Sequence, residues 1–327
     1  MKLLFRMIFA PFIWLIQACS PLGNTVDKDV SDSFYFNKSK TDVIYSPMGN
    51  WFELEASKIG ADVESFVVLN KHIAKDKNRV YYKSTYVNLP ELDVSEFRAE
   101  QTYAMLNIGF DEKNVYLFTR DYTSKETAVK IIPEADPHTF KTSDFEWAKD
   151  KNHYYHRFSP VNVDYESFAR INERFHLDKK QAYYHAYDTF SAFEVDVATF
   201  KKLDDAYAYD QNNVYYFAEF VQDRAQNLLQ RIPNPDSRTI KIIDQYHLKA
   251  GDKVYYQGFE ITGADLNSFE IISESYSKDQ QHVYYNGVLL EGADPKSFQY
   301  DGKTFYYKDK DRSYFQGKPV DETKKSQ

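Results

Sequence analysis

Asp62-Val-Glu-Ser-Phe66, followed ten residues after Phe66 by Asp76-Lys-Asn-Arg-Val-Tyr-Tyr82, decides the fold, because both halves recur along the chain. The acidic turn with its trailing aromatics returns at Asp111 to Leu117, Asp150 to Tyr155, Asp178 to Tyr184, Asp210 to Tyr216, Asp279 to Tyr285 and Asp309 to Phe315. The copy at Asp150 reads as one residue short. Another copy has Ala250 in the acidic place, with Gly251 and Asp252 leading into Val254-Tyr255-Tyr256. The Asp-x-x-(Ser/Thr)-(Phe/Ile) element recurs at Asp93, Asp136, Asp164, Asp196, Asp236, Asp265 and Asp294.

From each element to the next acidic turn the separations are 14, 18, 14, 14, 14, 14, 14 and 15 residues. From turn to next element they are 17, 25, 14, 18, 26, 15 and 15. A repeat with one packed connection and one loop behaves this way. The long connections 118–133 and 217–233 fall at matching places, as if a three-unit block had duplicated.

Counting from the element Asp, position +4 is Phe or Ile (Phe66, Phe140, Phe168, Phe200, Ile240, Phe269, Phe298). Position +7 is often Leu or Ile, and +11 holds Ile73, Trp147, Phe175, Tyr207, Tyr276 and Phe305. The interval from +4 to +7 fits one helical face, with Asp as N-cap and Pro137 or Pro295 at the first helical position. The spacing therefore predicts a short helix of one to two turns. The Val-Tyr-Tyr runs flanked by turn residues predict a hairpin, with one Tyr of each pair in the core and the other toward solvent or a neighbouring unit. The expected fold is mainly β with short helices: a tandem array of eight short-helix plus β-hairpin units, with capping half-units at 32–60 and 309–320. A closed propeller-like ring is the alternative, although roughly 30 residues is short for a four-stranded blade. The expected domain plan is a signal peptide at 1–18, a lipid-anchored tether at 19–40, the array at 41–320 and a polar tail at 321–327.

The turns at Asp76 and Asp150, with Gly292-Ala-Asp-Pro-Lys-Ser-Phe298, resemble the bacterial DKNYY repeat family over roughly residues 32 to 320. The resemblance implies a repeat protein and brings no catalytic residues with it.

Lys2 and Arg6 precede an apolar run from Met7 to Ile16, and Ile16-Gln-Ala-Cys19 resembles a lipobox ending at the only cysteine. Cys19 is the expected lipid-attachment residue of a signal-peptide-bearing lipoprotein. Ser20 after it resembles the outer-membrane sorting pattern, which places the protein on the periplasmic side of a bacterial envelope.

Removal of Lys2 and Arg6 with the signal leaves 39 basic residues against 49 acidic, which disfavours nucleic acid. No intrachain disulfide can form, so stability must come from stacked units and a core rich in the 28 Tyr and 25 Phe. No P-loop, Gly-x-Ser-x-Gly or His-Glu-x-x-His is present, so no enzyme activity, cofactor or metal is expected. His153, His156 and His185 form a drawable metal set, but their places read as a turn and strand ends. The Asp-x-Asn turns read as Asx-turns rather than calcium loops, since lysines crowd them. The expected function is a protein-binding surface carried on the two long connections; one form of it is an immunity-type lipoprotein that binds a toxin. The rival expectation is glycan binding through exposed tyrosines, such as one of Tyr284 and Tyr285.

Overall fold

The computed structural model describes residues 20–53, 56–101, 106–120, 127–186, 189–218, 229–233, 239–302 and 305–320. Among them every regular element is a β-strand, and strands consecutive in the chain pair antiparallel into nine four-stranded sheets. Sheets 1 to 9 span residues 22–58, 67–86, 98–131, 141–161, 169–193, 201–233, 241–260, 270–289 and 299–320. Two compact units divide the chain: Met1–Asn162 carries sheets 1 to 4 and Val163–Gln327 carries sheets 5 to 9.

The expected short helices do not form. At each described element the backbone makes one turn, as where Phe140, Phe200 and Phe298 donate to the carbonyls of Asp136, Asp196 and Asp294 at 2.9, 2.9 and 3.0 Å. The chain then enters a strand at once, Val67–Val68 following Phe66 directly. A lone turn gains nothing from helical cooperativity, whereas the next two residues gain a strand partner. Position +7 thus lies at a hairpin, with the Leu69 N–H on the Ile73 carbonyl at 2.9 Å.

Each unit is four strands rather than a hairpin, and there are nine sheets rather than eight units. Strands of two to six residues fit a full sheet into the short repeat. Leu22–Thr25 and Phe34–Asn37, inside the expected tether, are the first two strands of sheet 1, so 32–60 is no half-unit. The closed-ring alternative also fails: among the described residues the cores join only consecutive sheets, and none ties the first sheet of a unit to its last.

In seven of the nine sheets one carboxylate sets the geometry. Asp76 Oδ1 accepts the N–H groups of Asn78 and Arg79, both at 2.8 Å, which is the Asx-turn read from sequence. Its Oδ2 accepts the Tyr81 hydroxyl at 2.7 Å and the N–H of Asp62 at 2.9 Å. The same bond from the element N–H spans 2.8–3.1 Å at Asp111, Asp150, Asp178, Asp210, Asp279 and Asp309. This bond clamps element to turn, across 14 residues in five sheets, 18 in sheet 3 and 15 in sheet 9. Ser65 accepts the Lys77 N–H at 3.1 Å, and the Lys77 ammonium reaches Asp62 at 2.7 Å, explaining the Ser/Thr at +3 and the lysine after the turn Asp. Gln211 replaces that lysine on Asp196 at 2.6 Å.

The aromatic bonded to the turn Asp is always five residues on: Tyr81, Tyr116, Tyr155, Tyr183, Tyr215, Tyr284 and Tyr314. The copy at Asp150 is therefore not short. Its turn closes from the Asp150 N–H to the His153 carbonyl as Asp76 does to Arg79, and Tyr155 takes the bonded place.

Sheets 2, 3, 6, 7 and 8 are covered on both faces, so the second Tyr of a pair goes to the neighbouring unit, one of the two places expected for it. Tyr81 packs with Phe34, Tyr45 and Phe66 toward sheet 1. Val80 and Tyr82, pointing the other way, pack with Phe97, Tyr116 and Phe118 of sheet 3. Sheets 5 to 9 repeat the pattern, Tyr215 facing Phe175 while Val214 and Tyr216 face Leu248 and Tyr255. Fully burying such a ring contributes roughly 1.5–3 kcal/mol, so stacking supplies what a 20-residue sheet lacks alone. The third hairpin ends against the preceding sheet. Gly317 sits at φ +71°, and a Cβ there would lie 2.2 Å from the Tyr285 ring, so only glycine fits.

Burial pushes the Asp76 carboxyl up, but the Tyr81 hydroxyl and the N–H groups of Asp62, Asn78 and Arg79 outweigh it and hold its pKa below the ordinary value. Burial and the Asp partner raise the bonded tyrosines, Tyr183 and Tyr215 to about 12. A depressed carboxyl contributes stability that is complete above about pH 4 and lost as pH falls through the folded value; a raised tyrosine contributes stability lost as pH climbs above about 10. Thermal melts should be flat between these limits and fall on both sides. Asp76→Asn turns an amide NH2 toward the Asp62 N–H and should cost about 1–3 kcal/mol in urea unfolding, with faster hydrogen exchange at Asp62. Tyr81→Phe leaves the three backbone donors in place and should cost less.

Candidate functional site

A second turn residue recurs eight positions after the element Asp: Asn70, Asp144, Asn172, Asp204, Asp244 and Ser273. Asn172 accepts the N–H groups of Arg174 and Phe175 at 2.9 and 2.8 Å, Asp204 those of Ala206 and Tyr207 at 2.8 and 2.6 Å, and Asp244 those of Tyr246 and His247 at 2.8 and 2.7 Å. Each pins the first hairpin of its sheet. Reading the apolar positions alone passes over this site; the Asn/Asp/Ser recurrence at +8 is its signal.

In the unit Val163–Gln327 three of these hairpins line one cleft of about 580 Å³ across sheets 5, 6 and 7. Glu173, Asp204, Asp205 and Asp244 set four carboxylates on it against the single guanidinium of Arg174. Tyr216, Phe217 and Tyr246 supply aromatic wall, and Gln245 and Gln257 amides. The Asn172 amide donates to the carbonyls of Asp204 and Tyr207 at 2.9 and 3.1 Å, and the Tyr207 hydroxyl to that of Tyr246 at 3.2 Å, so the walls are tied to each other. Burial pushes the His247 imidazole down in pKa, against the pull of Asp244 at 3.0 Å, and this favours its neutral form. Lys202 neutralises part of Asp205 at 2.5 Å. The balance stays negative, which suits a cation held over aromatic rings.

A model of the DKNYY family matches residues 35–188 and again 187–318. The chain belongs to the DKNYY family. No curated protein matches it. The Asp, the Lys and the two tyrosines of the motif have structural tasks in this DKNYY protein: the Asp is the clamp, the Lys bridges to the element Asp, and the tyrosines fill successive cores.

The two long connections do occupy equivalent places, between the third and fourth strands of sheets 3 and 6. They lengthen those hairpins to Val115–Arg120 with Thr127–Ile131 and to Asn213–Phe217 with Leu229–Pro233. Their tips, 121–126 and 219–228, lie outside the described residues, as do Cys19 and residues 1–18, where a signal peptide is expected. Phe217, at the base of the second, lines the cleft. Tyr284 is fully buried on Asp279, and Tyr285 is half-buried, 4.9 Å from the Tyr276 ring. His153 sits in a turn 3.5 Å from Glu134, His156 ends a strand against Trp147, and His185 meets His176 at 3.0 Å.

Asn172→Ala removes an Asx-turn and two links between sheets 5 and 6. It should lower stability by about 1–3 kcal/mol and speed exchange of the Arg174 and Phe175 amides, whereas exposed Glu173→Ala should leave the melt unchanged.

Proposed function

We propose that this DKNYY protein is a non-enzymatic, lipid-anchored protein of the bacterial envelope that binds a basic segment of another protein in the cleft of sheets 5 to 7. The observation that carries the reading is the cleft: four carboxylates, one guanidinium and three aromatic side chains around about 580 Å³. A Lys or Arg side chain entering it gains attraction from the carboxylates and about 0.5–2 kcal/mol where it reaches the half-buried Tyr246 ring. The lengthened hairpin of sheet 6 rises from the same place and extends the contact surface. The acidic balance of the whole chain favours the approach of a basic partner. An immunity-type protein that neutralises a basic toxin is the specific form of this reading. Acylation of Cys19, with Ser20 directing the protein to the outer membrane, would hold the repeats at the periplasmic face. In the rival glycan reading Tyr284 and its equivalents have no part, since their hydroxyls bond the turn Asp; only the second tyrosine of a pair, such as half-buried Tyr285, is left for it.

Affinity capture from envelope extract should yield a basic partner whose retention falls steeply as salt rises. The double variant Glu173→Lys, Asp205→Lys should lose it at least tenfold while keeping the wild-type melt. Equal retention by that variant, or a salt-independent partner, overturns the cleft reading. Globomycin should cause precursor to accumulate, and Cys19→Ala should release the protein from membranes; continued membrane fractionation of that variant removes the lipid anchor from the proposal.

A further inference from the structure

Sheets 8 and 9 border a second, open pocket, independent of the acidic cleft, and it exists because the last repeat is one residue longer than its neighbours. Asp294 and Asp309 are 15 residues apart instead of 14. The clamp is unchanged, with the Asp294 N–H on Asp309 at 3.0 Å, so the extra residue must bulge elsewhere. It bulges in the first hairpin, where the Asp301 N–H reaches the Tyr306 carbonyl, five residues on, instead of the four seen from Leu69 to Ile73 and from Ile272 to Tyr276. Phe305, which the periodicity assigns to the core, is thereby extruded and stands 87% exposed.

The bulge has a second effect. In sheets 2, 4, 7 and 8 the N–H at the tip of the third hairpin donates to the residue before the second strand: Lys83 to His72, Arg157 to Glu146, Gln257 to Tyr246 and Asn286 to Ser275, at 2.6–2.7 Å. Among the described residues the corresponding bond from Gln316 to Phe305 is not made. Between the displaced Phe305 and that tip lies a pocket of about 340 Å³, walled by Tyr276, Tyr285 and Phe315, with Ser275 and Gln316 at its polar edge.

No Asp, Glu, Lys, Arg or His lines it. A charged ligand would lose its hydration without gaining a counter-charge, and a purely apolar one would cover the half-buried Ser275 hydroxyl without a partner for it and make no use of the exposed Gln316 amide. The volume is at the small end of ligand sites, too short for an extended peptide. A pyranose ring meets all three conditions: it is neutral, it presents a flat C–H face to an aromatic ring, and its rim of hydroxyls both donates and accepts. We propose that this pocket is a carbohydrate site for one neutral pyranose unit of a glycan chain, with Phe305 and Phe315 stacking on the sugar and Gln316 and Ser275 bonding its hydroxyls.

The full chain in detergent would be titrated with cellobiose, maltose and N,N′-diacetylchitobiose, read by saturation-transfer NMR and tyrosine fluorescence. At least one sugar should bind, weakened tenfold or more by Phe305→Ala, preserved by Phe305→Trp and unaffected by Phe52→Ala, a change at an exposed ring far along the sequence. Phe305 is so exposed that its removal should leave the melt unchanged, so lost binding is read as lost contact. A proline-rich decapeptide and the oligomeric state at rising protein concentration are measured alongside. The proposal is overturned by failure of all three sugars, by sugar binding that Phe305→Ala does not touch, or by Phe305-dependent binding confined to the peptide or to a second copy of the chain.

Discussion

A carboxylate that accepts four hydrogen bonds is the interaction on which the rest of this protein depends. Asp76 and its equivalents receive two N–H groups from their own turn, one tyrosine hydroxyl from the strand that follows, and one N–H from a segment 14 to 18 residues back. The first two shape the hairpin, the third aims an aromatic ring at the preceding sheet, and the fourth fixes where the chain enters its own sheet. Asp is the side chain that suits all four: it is acceptor-only, and it is short enough for its oxygens to reach both its own turn and the entering chain. In sheet 1, which has no preceding element, Asn37 holds the turn and spends its amide on Thr41.

Because the clamp orients the ring, it also determines the stacking. With the bonded tyrosine on one face and Val and Tyr on the other, an inner sheet of about twenty residues depends on neighbours on both sides. That requirement removes freedom from the first two hairpins, which carry the clamp and the Asx-turn at +8. The third hairpin is closed by its own turn and can lengthen, as in sheets 3 and 6, without moving the core.

Binding surfaces arise where this plan leaves side chains unspent. Asp204 and Asp244 serve their turns, yet they share a cleft with exposed Glu173 and with Asp205, which Lys202 neutralises in part, because successive hairpins are stacked at the same level. The pocket between sheets 8 and 9 has the opposite origin: a departure from the repeat length that the clamp could not absorb. Regularity makes the first site and irregularity the second.

The repeat itself, the clamped 14-residue connection, the Asx-turns and the matching places of the two long connections were legible in the sequence, since each rests on bonds between residues close along the chain. The helix at the element was misread for the same reason: apolar residues at +4 and +7 look like a helical face, but Val67 and Val68 find strand partners in Lys75 and Ala74, which no local pattern displays. The apparent shortening at Asp150 also came from counting aromatics instead of the bonded position, which Tyr155 keeps. Phe305 followed the periodicity and still left the core, because the clamp at Asp309 took precedence over its spacing. By itself the sequence determined the repeat, its turns and its family, all written in short-range hydrogen bonding. Only the tertiary structure decided the four-stranded sheets, the burial of both tyrosines and the two candidate sites, because each is formed by neighbouring repeats whose contacts lie 30 or so residues apart.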